Sequence, residues 1–160
     1  MLCRRVTVDD VAIIMELAKT SFHKSEMYDK AVIRSFCVNG QGYIHNRGYV
    51  LYEERKSDLP GVRADVLTLV QIGVCPTYRR RGVAQSLIRC VLHVARPVYL
   101  HVRSNNIAAR QLYTRLKFVT LATLTDYYNS TAIPDAAYYM VYIPTTPTKL
   151  PYSHTWRRLE

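Results

Sequence analysis

The chain has 160 residues, 49% hydrophobic and 21% charged, the size and balance of one folded domain, which excludes a mostly disordered chain. Its formal net charge of +10 points to polyanionic partners: nucleic acid, ribosomes, anionic lipid or a phosphate-rich cofactor. Cys3, Cys37, Cys75 and Cys90 are scattered, without zinc or disulfide spacing, and the opening MLCRRVTVDD lacks the apolar core of a signal peptide. Free thiols, no metal site, no transmembrane segment and a cytoplasmic location are therefore expected.

LCRRVTV reads as an opening strand. In DDVAIIMELAKTSF, Val11, Ile14, Met15, Ala18 and Phe22 fall at helical spacing, with Asp9 as the expected N-cap. Tyr28 to Val38 reads as a second, shorter helix ended by NGQG. A hairpin follows, GYIH and YVLYEER about a turn at NRG, then the polar loop KSDLPGVRAD and the long apolar strand VLTLVQIGV. The helix after VCPTYRRRG repeats Ala84, Leu87, Ile88, Val91, Leu92 and Ala95 along one face, with Pro97 as its stop. VYLHV is a short strand, and SNNIAARQLYTRL a helix capped by Ser104 or Asn105. KFVTLATLTDYY and AAYYMVYI are the last strands, around NSTAIPD. The order βααβββαβαββ makes one mixed α/β domain over 1–143, followed by a proline-containing tail, 144–160.

The junction between VLTLVQIGV and its helix concentrates Arg79, Arg80 and Arg81 beside Gly82, Val83 and Ala84. A helix start offers unpaired N–H groups and a partial positive charge, small residues let an anion approach the backbone, and arginines add charge-assisted contacts. The spacing lacks the Lys-Ser/Thr of a P-loop and is not G-x-G-x-x-G, which disfavours a nucleoside triphosphatase or a dinucleotide dehydrogenase. No RNP, KH or helix-turn-helix pattern is present, so no specific DNA or RNA reader is expected.

In context this stretch resembles motif A of the GNAT N-acetyltransferase superfamily, (Arg/Gln)-x-x-Gly-x-(Gly/Ala), and the element order resembles that family's too. The resemblance implies a GNAT fold, a mixed and mostly antiparallel central sheet flanked by about four helices, with acetyl-CoA as cofactor. Ile72, Gly73 and Val74 would then pair with its pantetheine arm, and Arg79 to Ala84 would hold its pyrophosphate. VYLHVRSNNIAARQLYTRLKF, with DYYNSTAIPDAAYYM after it, resembles protein N-α-acetyltransferase catalytic subunits, closest to the NatE and NatF types. That resemblance implies transfer of acetyl to the α-amine of protein N-termini, nascent and Met-starting chains among them, with a ribosome or an auxiliary subunit as partner. By matching position, His101 orders a catalytic water, Tyr113 returns a proton to the leaving thiolate, and Asn106 lies beside the cofactor. Phe22, His23 and Lys24 cup the first residue of the substrate, and Tyr127 and Tyr128 clamp it.

Two departures stand out. FHK at Phe22 to Lys24 replaces Phe-Pro-Val or Phe-Pro-Ile, which leaves the methionine preference open. Thr68 stands where the family has its catalytic tyrosine. An α-amine with a pKa of ~7.7–8.0 is already neutral in roughly a tenth of molecules at pH 7, so water held by His101 can replace a stronger base. Glu53, Glu54 or a tyrosine from the final loops are alternatives for that role. A non-catalytic CoA-binding subunit or ribosome adaptor, or a GNAT acting on lysine or a small amine, are the competing readings. Cys75 as a covalent nucleophile is disfavoured because no activating base accompanies it in sequence.

Overall fold

Seven strands and four helices form in the expected order, in a computed structural model that describes residues 3–56, 65–128 and 135–145. They are β1 (Arg4–Arg5), α1 (Val11–Ser21), α2 (Lys30–Val38), β2 (Gly42–His45), β3 (Gly48–Lys56) and β4 (Asp65–Val74). After these come α3 (Val83–Leu92), β5 (Val98–Arg103), α4 (Ile107–Arg115), β6 (Val119–Tyr128) and β7 (Asp135–Tyr142). One sheet holds all seven strands in the order β1-β2-β3-β4-β5-β7-β6. Every adjacent pair is antiparallel except β4 and β5. Most of the expected tail, from residue 146, and the loop around NSTAIPD lie outside the described residues.

Strand alternation splits the interior into two layers. Val50 and Tyr52 of β3 join Leu67 and Leu69 of β4 and Leu100 and Val102 of β5 against Leu87, Ile88 and Val91 of α3. Tyr49 and Leu51 turn to the opposite face and pack on Ile14 and Ala18 of α1 and Ile33 and Phe36 of α2. Each fully buried Leu or Ile contributes roughly 1.5–3 kcal/mol, so α3 is held chiefly by its apolar stripe.

Two features of the central strands create a cleft. The β3–β4 register slips between Leu51 and Tyr52, which face Gln71 and Leu69, so Val70 is bulged. The parallel β4–β5 ladder runs only through Leu67–Val98, Thr68–Tyr99 and Leu69–Leu100. Beyond Leu69 the two strands part.

The structure corrects several local expectations. Asp9 is not the cap of α1: a short 3-10 turn, Val8–Asp10, precedes the helix, and Asp10 organises it. The Asp10 carboxylate accepts from the Thr7 N–H (2.8 Å), the Thr7 hydroxyl (3.2 Å) and both terminal nitrogens of Arg4 (2.7 and 2.6 Å). Its side chain is 2% exposed, and the Arg4 hydrogen bonds hold its pKa below the ordinary carboxylate value. Asp10→Asn is expected to lower stability by about 2 kcal/mol in urea unfolding at pH 7. Because the native pKa is depressed, this contribution is present above the ordinary value near 3.8 and lost as pH falls through the native one. Equal unfolding midpoints for both proteins at pH 7 would refute it.

Asp29, whose carboxylate accepts from the Val32 N–H (2.8 Å), starts α2 two residues after the expected Tyr28. Helix α3 ends at Leu92, well before Pro97, and Ala95 takes φ 57° as the chain turns out. Cys3 and Cys90 are joined in a disulfide across a separation of 87 residues, so the expectation of four free thiols fails. Only the fold brings the lead-in to β1 beside α3, and no spacing in the sequence encodes it. Cys37 and Cys75 remain free. Among the described residues no helix is long and apolar enough to cross a membrane.

Candidate active site

On one side of the parting strands lies the start of α3. Gly82 is its N-cap at φ 81°, in the left-handed region that favours glycine, and no side chain caps the helix. The first turn carries no acidic residue. An added Cβ at Gly82 would meet no atom of the described residues within 4 Å, so none of them blocks the approach to these N–H groups. Val83 is buried and anchors the helix, leaving its backbone toward the opening, and Ala84 is half-buried. Ile72, Gly73 and Val74 lie in the part of β4 beyond its last pairing with β5, as an extended ligand would need. The residues fit an anionic ligand with a linear arm.

The three arginines divide their roles. Arg79 donates from Nε to the Val74 carbonyl (3.3 Å) and from Nη2 to the Ser21 carbonyl (3.4 Å), tying the end of β4 to the end of α1. Its side chain thereby braces the framework beside the junction. Arg80 bends the backbone at φ 61°. Arg81 lies over the Tyr78 ring at 5.3 Å, and Arg47, from the β2–β3 turn, lies over the same ring at 4.1 Å. Arg47 is a cation at this site that the sequence reading missed. Its only signal was the turn NRG.

The opposite face of the cleft is aromatic. His101 stacks between Tyr127 (4.7 Å, 13°) and Tyr139 (4.7 Å, 18°), and Tyr139 stacks in turn on Tyr99 (5.5 Å). His101, Tyr99 and Arg103 share this face, as alternation along VYLHV predicts. Burial, and then the charge of Arg55, lower the His101 pKa below the ordinary 6.5. Both effects favour the neutral imidazole, and among the described residues no hydrogen bond occupies either ring nitrogen. Thr68 pairs with Tyr99 on one side and Glu53 on the other, placing it in the same row. Glu53 is taken up by Arg55, whose Nε donates at 2.8 Å. Glu54 accepts from Arg96 (3.1 Å) and pairs with Leu67, which packs on the α3 side, so it does not serve the His101 face.

The other expected residues sort as follows. Phe22 caps α1, and its ring lies against Gly73, where an added Cβ would sit 3.2 Å from it and 2.7 Å from the Tyr49 ring. His23 is the N-cap of a 3-10 turn, Lys24–Glu26, with Nδ1 2.9 Å from the Ser25 hydroxyl, and Lys24 is exposed. FHK thus builds a capped turn in place of a proline-fixed loop. Asn106, not Ser104 or Asn105, caps α4, its Oδ1 accepting from the Ala109 N–H (3.1 Å). Tyr113 is 6% exposed and packs against Phe118 (5.5 Å). Tyr127 is half exposed, while the Tyr128 side chain lies outside what the structure describes. Cys75 sits 3.3 Å from the Thr77 hydroxyl at the exit of β4.

Fold and cleft define an α/β domain whose two central strands part beside an uncapped helix start, with a stacked histidine on the far face. The chain matches the acetyltransferase (GNAT) family over residues 25–118 and belongs to that family. Among curated proteins it is 44% identical over 69 residues to the histone acetyltransferase MCC1 of Arabidopsis thaliana, covering 39% of this chain and 28% of that protein. It is 42% identical over 59 residues to the N-alpha-acetyltransferase RimI of Mycobacterium tuberculosis, covering 36% of this chain and 37% of that one. The matched stretch is thus a minor part of either relative.

Among solved structures, Arabidopsis thaliana NAA60 in complex with acetyl-CoA superposes with a TM-score of 0.74 at 21% identity, over 89% of this chain and 98% of that one. The ribosomal-protein-S18-alanine N-acetyltransferase from Escherichia coli does so with 0.73 at 20% identity, over 93% and 97%. Arabidopsis thaliana Naa50 in complex with the bisubstrate analogue CoA-Ac-MVNAL gives 0.72 at 21% identity, over 88% and 97%. At these identities the likeness is one of fold.

Proposed function

We propose that the chain transfers an acetyl group from acetyl-CoA to the α-amine of protein N-termini. The observation that carries this reading is His101, stacked between Tyr127 and Tyr139 on the stretch of β5 beyond its last pairing with β4, in a fold whose α3 starts uncapped. Acetyl-CoA would supply the activated thioester. Backbone N–H groups at the start of α3 with Arg80 and Arg81 would hold its pyrophosphate, and the open edge at Ile72, Gly73 and Val74 would pair with its arm. His101 would accept, through a water, the proton that the attacking amine loses. Phe22 and Tyr127 would flank the first substrate residue. Tyr113 is proposed as the source of the thiolate's proton, and Asn106, by capping α4, would fix the helix that carries it.

The choice of α-amine rests on acidity. The Glu53 carboxylate is engaged by Arg55, so among the described residues no unengaged carboxylate stands beside Thr68 in this row. An α-amine of pKa ~7.7–8.0 needs little help, whereas a lysine near ~10.4 needs far more. The name of the relative RimI supports this reading. The name of MCC1 favours a second one, acetylation of a lysine. A cytoplasmic location beside the ribosome, or alongside an auxiliary subunit, goes with the first reading, and the net charge of +10 supports contact with ribosomal RNA.

The test is acetyl transfer to two peptide sets, one with free N-termini varied at the first two residues, the other with blocked N-termini and internal lysines. Transfer to the first set alone is expected. Transfer to the second set alone would establish the lysine reading, and tight acetyl-CoA binding with transfer to neither would leave a non-catalytic subunit.

A further inference from the structure

Where β4 and β5 separate, a single residue of the α1–α2 connection spans them. Beyond Leu69 and Leu100 the ladder has ended. Glu26, at the end of the 3-10 turn, meets both strands there. Its backbone carbonyl accepts from Nε2 of Gln71 on β4 (3.2 Å), and its carboxylate accepts from Nη2 of Arg103 on β5 (2.8 Å). Gln71 is itself fixed, its Oε1 accepting from the Tyr49 hydroxyl (2.7 Å). Burial pushes the Tyr49 pKa upward, so that hydroxyl stays a donor at any physiological pH. Gln71 is 8% exposed in a largely apolar strand, a buried polar side chain whose two ends are both satisfied by this arrangement.

We infer that Glu26 is a positioning residue, a strap that fastens the Phe22–Tyr28 segment across the mouth of the cleft and holds the substrate cup in register with His101. Arg103 lies on the His101 face of β5 and Phe22 lies against Gly73 of β4, so the strap joins the two walls between which the peptide would lie. The Arg103 and Glu26 side chains are 21% and 39% exposed, which leaves the ion pair partly sheltered from solvent and screening. The strap's consequence falls on peptide binding: a loose segment must be ordered each time a substrate enters. The acetyl-CoA side of the cleft, formed by β4 and α3, does not depend on it. This inference rests on the acetyl-transfer reading for its kinetic consequence, though not for the fastening itself.

The test uses Glu26→Gln, Arg103→Gln and the double variant of the full chain. Glu26→Gln keeps the carbonyl bond to Gln71 and removes only the charge pair. Amide hydrogen exchange over residues 23–28 is expected to rise in both single variants, with exchange in β3 and α3 unchanged. The KM for a free-N-terminus peptide is expected to rise about five- to tenfold, with kcat and the acetyl-CoA KM within about twofold of the parent. The double variant should show less than the sum of the two single ones, since both break the same pair. Unchanged exchange over 23–28 overturns the fastening. Raised exchange with an unchanged peptide KM overturns the positioning role, and so does a loss in kcat alone. A parent protein that transfers acetyl to no peptide sinks the function reading, while the exchange data still decide the fastening on their own.

Discussion

His101→Ala is expected to lower turnover on an N-terminal peptide by about 10²-fold or more, with acetyl-CoA affinity unchanged. The ring lies between Tyr127 and Tyr139 and contributes nothing to the start of α3, so cofactor binding has no reason to follow it. Alanine also removes a stacked ring, and a packing loss would mimic a chemical one. His101→Phe separates the two, because it keeps the stack and deletes both nitrogens. The two variants should be equally slow. If His101→Phe retained most of the parent rate, the histidine would be a packing group and the proton would leave by another route. The pH dependence adds a sign. Burial and the Arg55 charge depress the native pKa below 6.5, so the base form persists across neutrality. Between pH 6 and 8 the rate constant kcat/KM should therefore follow the peptide amine, rising toward its pKa of ~7.7–8.0 and then levelling, with a second fall only at more acid pH. The same depression links His101 to stability. Its contribution is present above 6.5 and lost as pH falls through the native value, so the parent should lose stability in acid faster than His101→Phe.

How far the sequence reaches is clearest on β4 and β5. Alternation in VYLHV places His101 with Tyr99 and Arg103 on one face, and the structure shows that face. Local pattern also gives the whole element order, because apolar period and turn residues act over short distances. What pattern cannot give is anything that depends on two strands ceasing to pair. The parting beyond Leu69 and the bulge at Val70 belong to register, and register is set by neighbours distant in sequence. The strap at Glu26 and the Cys3–Cys90 bond are invisible for the same reason. Gln71 was a readable signal, an amide in an apolar strand that must find partners, though the sequence does not say which. Three arginines in a row gave the charge of the junction correctly. They did not reveal that Arg79 donates to the Val74 and Ser21 carbonyls, or that Arg47 arrives from a different turn.

Gly82→Asp should abolish measurable acetyl-CoA binding while leaving a folded protein, and the comparison that gives this meaning is Gly82→Ala. Both substitutions place a side chain at φ 81°, which costs roughly 1–2 kcal/mol for an L-residue, and the Cβ they share meets no atom of the described residues within 4 Å. The two variants thus share the strain and differ in charge. Aspartate at an N-cap is favourable to a helix in itself, since its carboxylate can accept from the first-turn N–H groups and complements the dipole. Gly82→Asp is therefore expected to unfold at the same temperature as Gly82→Ala, or slightly above it. For a pyrophosphate the effect reverses. The carboxylate would occupy the donors that the anion needs and set a like charge a few ångströms from it, and about 4 kcal/mol at an effective dielectric near 20 corresponds to a loss of about 10³-fold. Isothermal titration of acetyl-CoA into both variants separates these terms. Affinity lost in Gly82→Asp and kept within about tenfold in Gly82→Ala would locate the phosphates at the start of α3. Equal affinity in the two would move them elsewhere in the cleft, toward Arg47 and Arg81 around Tyr78, and would leave the open start of α3 without a ligand to explain it.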